Sequence, residues 1–386
     1  MRIETKKDLT INAKLNGIVI NITLLSILFI AFFFRLWKLE SYFYFAEETN
    51  NVLYTIQDFV NGKHSLLLGL EATGYLHHLF HTPWYLYLMA PLFLLAKGEP
   101  LVFAAFHSII GIIAVFFLYK IGEKLGDRKM GYIASAIYAV SFSRILVDRS
   151  VWAVGLIPFS TILAVYLLVI SIKDKRNFYY LLLGIWAGIA LSFHYQFFVV
   201  ITAVIILIFL KNKNKLILIL IPIGISLLPL LIFDLRHNFF NVYGFYLWFK
   251  VTLEGGSPYT YRNYLFFSYP VLILASSYLL AKIKRKFLSL LFIYFLIQSK
   301  VFLSQTPPPP GSYLERNKLI NKILDNYQNG LEVFFKDEDS YRYRYLLFLR
   351  AKQRNYDMGK IKIYEPWQPE NSAHIVVESS RLFKYE

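Results

Sequence analysis

Apolar runs separated by short polar connectors fill the first three quarters of the chain. The runs, each of about 15 to 20 residues, occupy residues 18–34, 101–120, 130–145, 155–172, 178–193, 196–210, 216–233, 264–281 and 287–304. A helix of this length can cross the hydrocarbon core of a bilayer, because it satisfies its own backbone hydrogen bonds there. The pattern predicts an all-α polytopic membrane protein with about nine transmembrane helices.

Two further segments lie in the long polar connector between residues 36 and 100. Residues 83–96 are apolar for only about 14 positions, which is short for a membrane crossing. Residues 49–60 are amphipathic. We expect both segments to form helices that lie in the outer membrane interface rather than span the bilayer.

Composition and charge agree with this picture. The chain is 56% hydrophobic and 17% charged, which excludes an ordinary soluble domain. It contains no cysteine, so disulfides and thiolate metal sites are excluded. Its 41 lysines and arginines outnumber 25 acidic residues. They cluster in segments 1–16, 120–129, 173–176, 211–215 and 282–286, which are the connectors expected in the cytoplasm under the positive-inside rule. The basic charge therefore indicates topology and not nucleic-acid binding.

This topology divides the chain into two parts in a cytoplasmic membrane, with the N-terminus inside. Residues 1–304 form the membrane module, with a long first outer loop at 36–100. Residues 305–386 form a small α/β soluble domain outside, after a stiff spacer at Pro307–Pro310. Within that domain, residues 314–327 are helix-like, and residues 361–364 and 374–377 are strand-like.

Five clusters of titratable residues fall in connectors that the topology places at the outer surface. Carboxylates, imidazoles and guanidiniums gathered there can form an acid/base site with anion-binding groups. Each also has a simpler interpretation, such as loop charge, an arginine that reaches lipid headgroups, or a histidine that caps a helix. The histidines favour a metal site only weakly. The clusters are Glu47 and Glu48; Glu71, His77, His78 and His81; Arg144, Asp148 and Arg149; His194 and Tyr195; and Asp234, Arg236 and His237.

Motifs in a fixed order carry a resemblance over about residues 17–240. They are the acidic pair after the first span, Thr82–Tyr87, Leu118–Gly126, Ser141–Arg144, Arg149–Trp152, the pair His194–Tyr195, and Phe233–Phe239. The ordered set resembles the GT-C membrane glycosyltransferases. It is most similar to the bacterial relatives of protein O-mannosyltransferases and of the aminoarabinose transferases that modify lipid A.

The resemblance implies an inverting glycosyltransferase. It would move a sugar from a polyprenyl-phosphate donor to a lipid, protein or glycan acceptor at the outer face of the membrane. Glu47, with Glu48 close behind, is the expected base, and neither a cofactor nor a metal is expected. The implied donor-phosphate ligands are Arg144, Arg149, Arg236, His237 and His194. The implied acceptor and substrate ligands are Glu71, His81, Tyr85, Tyr195 and Asp148.

Three departures from the family pattern keep other hypotheses open. Glutamates replace the usual aspartate at 47–48, Ala153 and Val154 stand where Asn-Pro is common, and the chain is short for the family. A transporter or flippase of lipid-linked sugars is one alternative, although such a protein calls for ionisable residues in mid-membrane. A sugar polymerase or ligase and a non-catalytic membrane assembly subunit are the others.

Overall fold

The computed structural model describes residues 12–15, 18–45, 47–72, 79–254, 266–282, 293–294, 296–298, 300, 312–326, 331–335, 344–356, 361–364, 375–378 and 381–384. The predicted spacer Pro307–Pro310, most of the predicted run 287–304, and His77 and His78 lie outside these residues.

Helices dominate the described part of the chain. They are α1 (Ile22–Leu36), α2 (Leu39–Tyr42), α3 (Glu47–Val60), α4 (Trp84–Ala96), α5 (Pro100–Leu125), α6 (Arg128–Val140), α7 (Phe142–Asp148), α8 (Ile157–Asp174), α9 (Asn177–Ala190), α10 (Phe197–Asn212), α11 (Leu216–Arg236), α12 (Phe240–Leu253), α13 (Ser268–Lys282), α14 (Tyr313–Asn326) and α15 (Arg344–Gln353). Short 3-10 turns occupy Ala153–Leu156 and Lys213–Lys215.

Strands occur near the two ends of the chain. An antiparallel pair, β1 (Asn12–Leu15) and β2 (Ile18–Asn21), precedes α1. The C-terminal strands are β3 (Leu331–Phe335), β4 (Ile361–Tyr364), β5 (Ile375–Glu378) and β6 (Arg381–Lys384). They form one sheet in the order β4-β3-β5-β6, in which β3 is parallel to both of its neighbours and β6 is antiparallel to β5.

Local sequence explains where the first long helices begin. Asn21 precedes α1, and its side chain accepts a hydrogen bond from the backbone N–H of Leu24 at 3.1 Å. Asp127 caps α6 in the same way, because its side chain accepts from Met130 N–H at 2.8 Å. Pro100 starts α5, where a missing backbone N–H is harmless. These caps satisfy donors that a helix start would otherwise leave unpaired.

The apolar runs form helices over most of their described length, as the sequence predicts, but residues 18–21 of the first run form β2 and α1 begins only at Ile22. Among the described residues, three segments are long and apolar enough to cross a membrane: Pro100–Leu125, Ala153–Asp174 and Phe197–Arg236, the last interrupted by the turn at Lys213–Lys215. The helices α6 and α7, bent by 66°, make a fourth if they count as one span. The helices α1, α4 and α9 are apolar but shorter. The helical membrane architecture is therefore confirmed, and the total of about nine spans stays a prediction.

Small residues bring the central helices into close contact. A Cβ atom on Gly122 of α5 would lie 2.6 Å from the Cα of Gly131 in α6, so only glycine fits there. Membrane helices associate through such close approaches, because lipid tails provide no hydrophobic drive for helices to pair. The outward faces remain apolar, as Phe29 and Leu210 illustrate with 69% and 70% exposure.

The basic connectors meet at one end of the bundle. The Lys173 ammonium donates to the carbonyl of Lys124. Lys129 donates to Ala281 O at 2.6 Å, beside the end of α13. Lys215 donates to the Asn177 side chain at 2.6 Å. The predicted alternation of the helices is therefore present in the fold, and the polar clusters lie at the opposite helix ends.

The C-terminal helices dock on the first polar connector. Tyr313 N–H of α14 donates to Phe43 O at 2.7 Å. Arg350 of α15 pairs with Glu99 at 2.7 Å, just before α5. Tyr345 donates its hydroxyl to Gly98 O at 2.8 Å. The C-terminal helices therefore contact the bundle at its polar end.

Candidate functional site

The acidic pair opens α3. Glu47 is the first residue of this helix, and the Glu48 side chain is exposed. The Glu47 side chain lies outside the part that the structure describes. Thr49 is buried and its hydroxyl donates to Val151 O at 3.4 Å, so the start of α3 lies against the segment that follows α7. Carboxylates at a helix N-terminus are stabilised by the helix dipole.

A buried ionic cluster lies beside this contact. The two carboxylate oxygens of Asp148 accept from different arginines, Arg35 Nε at 2.9 Å and Arg144 Nη2 at 2.7 Å. All three side chains are 6% exposed or less. Arg35 also donates to the carbonyl of Ala139 at 2.9 Å, near the end of α6. The cluster therefore ties α1, α6 and α7 together at one end of the bundle.

Arg149 is the fourth member of the cluster and contacts the C-terminal end of α1. Its guanidinium donates to the carbonyls of Phe34, Arg35 and Trp37, the last at 2.9 Å. These are carbonyls that the C-terminal turn of a helix leaves without intrahelical partners. With Arg35, Arg144 and the single carboxylate of Asp148, the formal charge of the four side chains is +2. Charge of this sign and burial suits an anionic group of a ligand.

The sequence alone does not reveal Arg35 as part of the site, because this residue stands at the end of the first apolar run. The predicted phosphate ligands are also placed unequally. Arg144 and Arg149 lie in the buried cluster, whereas Arg236 and His237 are exposed on the last turn of α11 and just after it. The His237 ring stacks on Phe233 with centroids 4.0 Å apart, and its Nδ1 lies 2.8 Å from Phe233 O.

His107 connects the ionic cluster to a second group of polar side chains. It is 2% exposed in α5, and its Nε2 lies 3.5 Å from the hydroxyl of Tyr85, which is fully buried. The backbone of Ser150 lies beside the His107 ring. The Tyr85 ring in turn contacts Phe193 edge-on, with centroids 5.9 Å apart. Sequence analysis missed His107, although a lone histidine inside an apolar run is itself a sign of function.

The second group contains His81, His194 and Tyr195. The His81 ring centroid lies 5.6 Å from that of His194 and 4.5 Å from that of Tyr195. The structure therefore brings together two motifs that the sequence separates by more than 100 positions. The Tyr195 hydroxyl donates to the carbonyl of Phe80, which fixes the segment that carries His81.

Burial sets the protonation of this second group. It lowers the pKa of His81 well below its ordinary value, and the neighbouring His194 lowers it further. Burial also lowers the pKa of His194 to about 4 and raises the pKa of Tyr195 to about 12. Both imidazoles are therefore neutral near pH 7. They can donate or accept hydrogen bonds but cannot supply positive charge to a phosphate.

The His81 segment is held by backbone pairing with residues 69–72. Gly69 N–H donates to His81 O at 2.8 Å, and His81 N–H donates to Leu70 O at 2.9 Å. A Cβ atom on Gly69 would lie 2.2 Å from Thr82 O, so this pairing requires glycine. Glu71 is exposed and pairs through its backbone with Phe80.

A strained turn between α11 and α12 supports the same segment. Asn238 and Phe239 both have positive φ, 51° and 57°, which is unfavourable for a phenylalanine. The turn lets Asn241 N–H donate to Asp234 Oδ1 at 2.7 Å. Asn241 Oδ1 then accepts from Phe80 N–H at 2.6 Å. Sequence analysis did not identify Asn241, and the role of Asp234 is to position it.

Among the described residues, no group of three or more His, Asp or Glu side chains is arranged to hold a metal ion. His77 and His78 are outside those residues. The described site therefore consists of a buried cationic cluster, a neutral histidine–tyrosine group and the start of α3, where Glu48 is exposed. Acid/base work and recognition of an anion are both within its chemistry.

Comparison with known structures finds similar chains among archaeal oligosaccharyltransferases of Archaeoglobus fulgidus. The apo form is 15% identical with a TM-score of 0.44, over 73% of this chain and 33% of that one. The complex of AglB with an inhibitory peptide and a dolichol-phosphate is 15% identical with a TM-score of 0.42, over 80% and 39%. The complex with Zn and sulfate is 15% identical with a TM-score of 0.43, over 86% and 45%. The chain thus spans less than half of these proteins.

Comparison of the sequence gives a family match. No curated protein sequence matches the chain. The model of the family described as dolichyl-phosphate-mannose-protein mannosyltransferase matches residues 80–235. This range contains the ionic cluster from Arg144 to Arg149, His107 and the His81–His194 group, but not the acidic pair. Residues 80–235 are therefore similar to dolichyl-phosphate-mannose-protein mannosyltransferases, and the resemblance predicted from the ordered sequence motifs is confirmed.

Proposed function

We propose that the protein is an inverting glycosyltransferase that moves a sugar from a polyprenyl-phosphate donor to an acceptor at the outer face of the cytoplasmic membrane. One observation carries this proposal. The range matched by the mannosyltransferase family, 80–235, supplies most of the polar residues that meet at one end of the bundle. Donor-binding chemistry and family resemblance therefore coincide in the same residues.

The buried cationic cluster supports binding of the donor phosphate. Arg144 and Arg149 keep the role predicted for them, and Arg35 joins them. The Nε of Arg144 has no hydrogen-bond partner in the described part of the chain, so this guanidinium retains a donor for an incoming oxygen. Such donors stabilise the phosphate as negative charge develops on the leaving group. We assign Asp148 to holding Arg35 and Arg144 in place.

The other residues predicted to bind substrate differ in their exposure to solvent, and we propose different roles for them. Arg236 and His237 are exposed on the same polar end and are suited to the diffuse charge of the lipid phosphate and headgroups. His194, because it is neutral, is better suited to hydrogen bonding than to charge neutralisation. Glu71, Tyr85 and Tyr195 stay candidate ligands for the acceptor and the rest of the substrate.

Glu47 is the proposed general base. It would take the proton of an acceptor hydroxyl as that oxygen attacks the anomeric carbon, while the bond from this carbon to the phosphate oxygen breaks. Attack opposite the leaving group inverts the anomeric configuration. Glu48 is the second candidate, and its exposed side chain at the start of α3 is open to an acceptor.

The same proposal fixes orientation and organisation. The basic helix ends face the cytoplasm under the positive-inside rule, so the N-terminus is inside and the polar end is outside. Residues 1–304 then form a membrane module of about nine spans. Residues 305–386 form a non-cytoplasmic α/β domain, whose helices α14 and α15 contact the first outer loop near Phe43 and Glu99.

The test is sugar transfer by the purified protein in lipid nanodiscs, supplied with a panel of polyprenyl-phosphate sugars. We compare wild type with Glu47→Gln and Glu48→Gln, and with Glu40→Gln as a matched control that is exposed in the same outer loop. Loss of a general base lowers kcat by about 10²- to 10⁴-fold. We expect this loss in Glu47→Gln and normal activity in the control.

The product's anomeric configuration, read by NMR, tests inversion. Retention of configuration would overturn the single-displacement mechanism. Absence of transfer with every donor would overturn the proposed function and favour a transporter or an assembly subunit instead.

A further inference from the structure

Three buried side chains, in the two segments that carry His81 and His194, hold polar atoms that have no hydrogen-bond partner in the described part of the chain. They are Nδ1 of His81, Oγ1 of Thr82 and Oε1 of Gln196. Their residues are 3%, 0% and 7% exposed. Buried polar groups in native proteins are almost always satisfied, so each exception calls for an explanation.

The three groups come from two segments that the fold brings together. His81 and Thr82 precede α4, and Gln196 precedes α10. The ring of His81 lies 5.6 Å from that of His194, and the backbone N–H of Gln196 donates to His194 Nδ1 at 3.1 Å. His81 and Gln196 therefore both contact His194, and Thr82 directly follows His81 in the chain.

The backbone at this neighbourhood is held firmly by other contacts. His81 is paired with Leu70 on one side, and the preceding residue, Phe80, is bonded to Asn241 and Tyr195 on the other. The Thr82 hydroxyl and the Gln196 Oε1 remain unsatisfied in the described part of the chain although their surroundings are fixed, whereas the Gln196 Nε2 lies 3.5 Å from His194 Nδ1. Preorganised polar groups without internal partners are what a ligand-binding site needs, because binding then requires little reordering.

The chemistry of the three groups indicates the kind of ligand. The Gln196 oxygen only accepts hydrogen bonds, whereas the Thr82 hydroxyl both donates and accepts. The His81 ring is neutral and offers its Nδ1 in either role. None of the three carries charge, so they do not suit a phosphate. Hydroxyl groups, which donate and accept at once, satisfy all three.

An aromatic ring borders His81. The Tyr195 ring centroid lies 4.5 Å from that of His81. Ligand sites commonly combine apolar and aromatic walls with a few polar groups that fix orientation. A sugar ring matches this combination, because it presents C–H faces and hydroxyl edges.

We propose that His81, Thr82 and Gln196 form the subsite that hydrogen-bonds the hydroxyls of the transferred sugar ring. This rests on the proposed glycosyltransferase function and adds to it the location and chemistry of sugar recognition. It also separates two tasks, because the cationic cluster around Arg144 binds phosphate and the neutral group reads the sugar.

The proposed subsite predicts that its polar groups do not stabilise the ligand-free protein. Replacing an unsatisfied buried polar group by an apolar group of the same shape should not destabilise the ligand-free protein and can stabilise it. Thr82→Val is such a replacement, and Gln196→Met is close to one because the only side-chain hydrogen bond that it removes among the described residues is the long one of 3.5 Å from Nε2 to His194 Nδ1. We expect both variants to unfold at the wild-type temperature or above, yet to transfer sugar poorly.

The experiment uses the full-length protein in nanodiscs with polyprenyl-phosphate mannose and its 2-, 3-, 4- and 6-deoxy analogues. We expect kcat/KM to fall by about 10- to 10³-fold in Thr82→Val and Gln196→Met. At least one deoxy analogue should be a poor donor for wild type but lose nothing further in a variant that lacks the matching group, because the two changes remove one interaction.

Two control variants sharpen the result. Thr202→Val makes the same change at an exposed position of α10, where the hydroxyl donates only to Phe198 O, and should leave transfer unchanged. Thr82→Ser keeps the hydroxyl but loses the buried methyl group, so its kcat/KM should lie well above that of Thr82→Val; equal losses in the two variants would contradict a role for the hydroxyl.

The outcomes separate this subsite from the proposed function. If wild type transfers mannose and both apolar variants match it, the subsite alone is wrong. If the variants lose stability and the effects of deoxy analogues add to those of the substitutions, the polar groups serve the fold and the subsite is again wrong. If wild type transfers no sugar from any donor, the proposed function fails and the subsite falls with it.

Discussion

The ionic cluster at Asp148 gives the most direct test of how this fold is held together. Asp148 is the only carboxylate among the four charged side chains of the cluster, and each of its oxygens accepts from a different arginine. Asp148→Asn keeps the shape of the side chain but removes its charge. It leaves Arg35 and Arg144 buried without a counter-charge.

The expected loss follows from burial. Removing one partner of a buried ion pair destabilises a protein by about 3–5 kcal/mol, because the other charge stays out of water without compensation. The Asp148 side chain is 5% exposed, and those of Arg35 and Arg144 are 0% and 4% exposed, so solvent cannot screen the two guanidiniums. We expect Asp148→Asn to lose about 3–5 kcal/mol, a large share of the total stability of a typical protein.

The assay is chemical unfolding in mixed micelles, with the free energy of unfolding compared between wild type and variant. Asp174→Asn is the matched control, since Asp174 is exposed at the end of α8 and surface substitutions change stability by about 0.5 kcal/mol or less. Arg35→Met alone and with Asp148→Asn completes a double-mutant cycle. Contacting charges should couple by about 0.5–3 kcal/mol.

Two results would refute the reasoning. One is a loss in Asp148→Asn no greater than that in Asp174→Asn, which would mean that the arginines find other compensation. The other is additivity in the cycle, which would mean that Arg35 and Asp148 do not interact in the folded protein.

Three further predictions address other parts of the molecule. Gly69→Ala forces a Cβ against Thr82 O and should lower the rate of sugar transfer by at least about 10-fold. Gly62→Ala, which has open space around it, should affect stability alone. Equal rates of transfer in the two variants would contradict the close approach of Gly69 to Thr82. Glu99→Gln and Arg350→Met should each lower the free energy that holds the C-terminal helices on the bundle by about 1–2 kcal/mol, as measured by limited proteolysis. Additive effects in the double variant would argue against the salt bridge between these two residues. Because burial lowers the pKa of His194 to about 4, its contribution to stability is complete above about pH 6.5 and is lost as the pH falls towards 4. The free energy of unfolding, plotted against pH over this range, should therefore fall less steeply in His194→Phe than in wild type. Parallel plots for the two proteins would contradict the lowered pKa.

The sequence determined the helices and their alternation. Each apolar run through residue 281 is helical over most of its length, because hydrophobic length and caps such as Asn21 and Asp127 act locally, although residues 18–21 of the first run form β2. The basic connectors and the polar clusters alternate along the chain, so their separation to opposite helix ends also follows from the order of residues. The short helices α3 and α4 were predicted on the same basis, as were the helix at 313–326 and the strand at 361–364.

Only the tertiary structure decided which polar residues meet. Arg35 and Asp148 are 113 positions apart, and Phe80 and Asn241 are 161 apart. Nothing in an apolar run reveals which face of its helix meets protein, because lipid tails are as apolar as a protein interior. The sequence therefore predicted Arg144 and Arg149 as phosphate ligands, but it could not show that packing pairs the first with Asp148 and sets the second against the end of α1.

The neutral state of the histidines has the same origin. His81 and His194 each stand in a polar motif that suggests exposure, and their unperturbed pKa values would allow charge near neutral pH. Burial of both rings against each other and against Tyr195 removes that charge. Residue type and order fixed what chemistry is available at the polar end of this bundle, and long-range packing, through burial, decided which groups are charged and which remain open to a ligand.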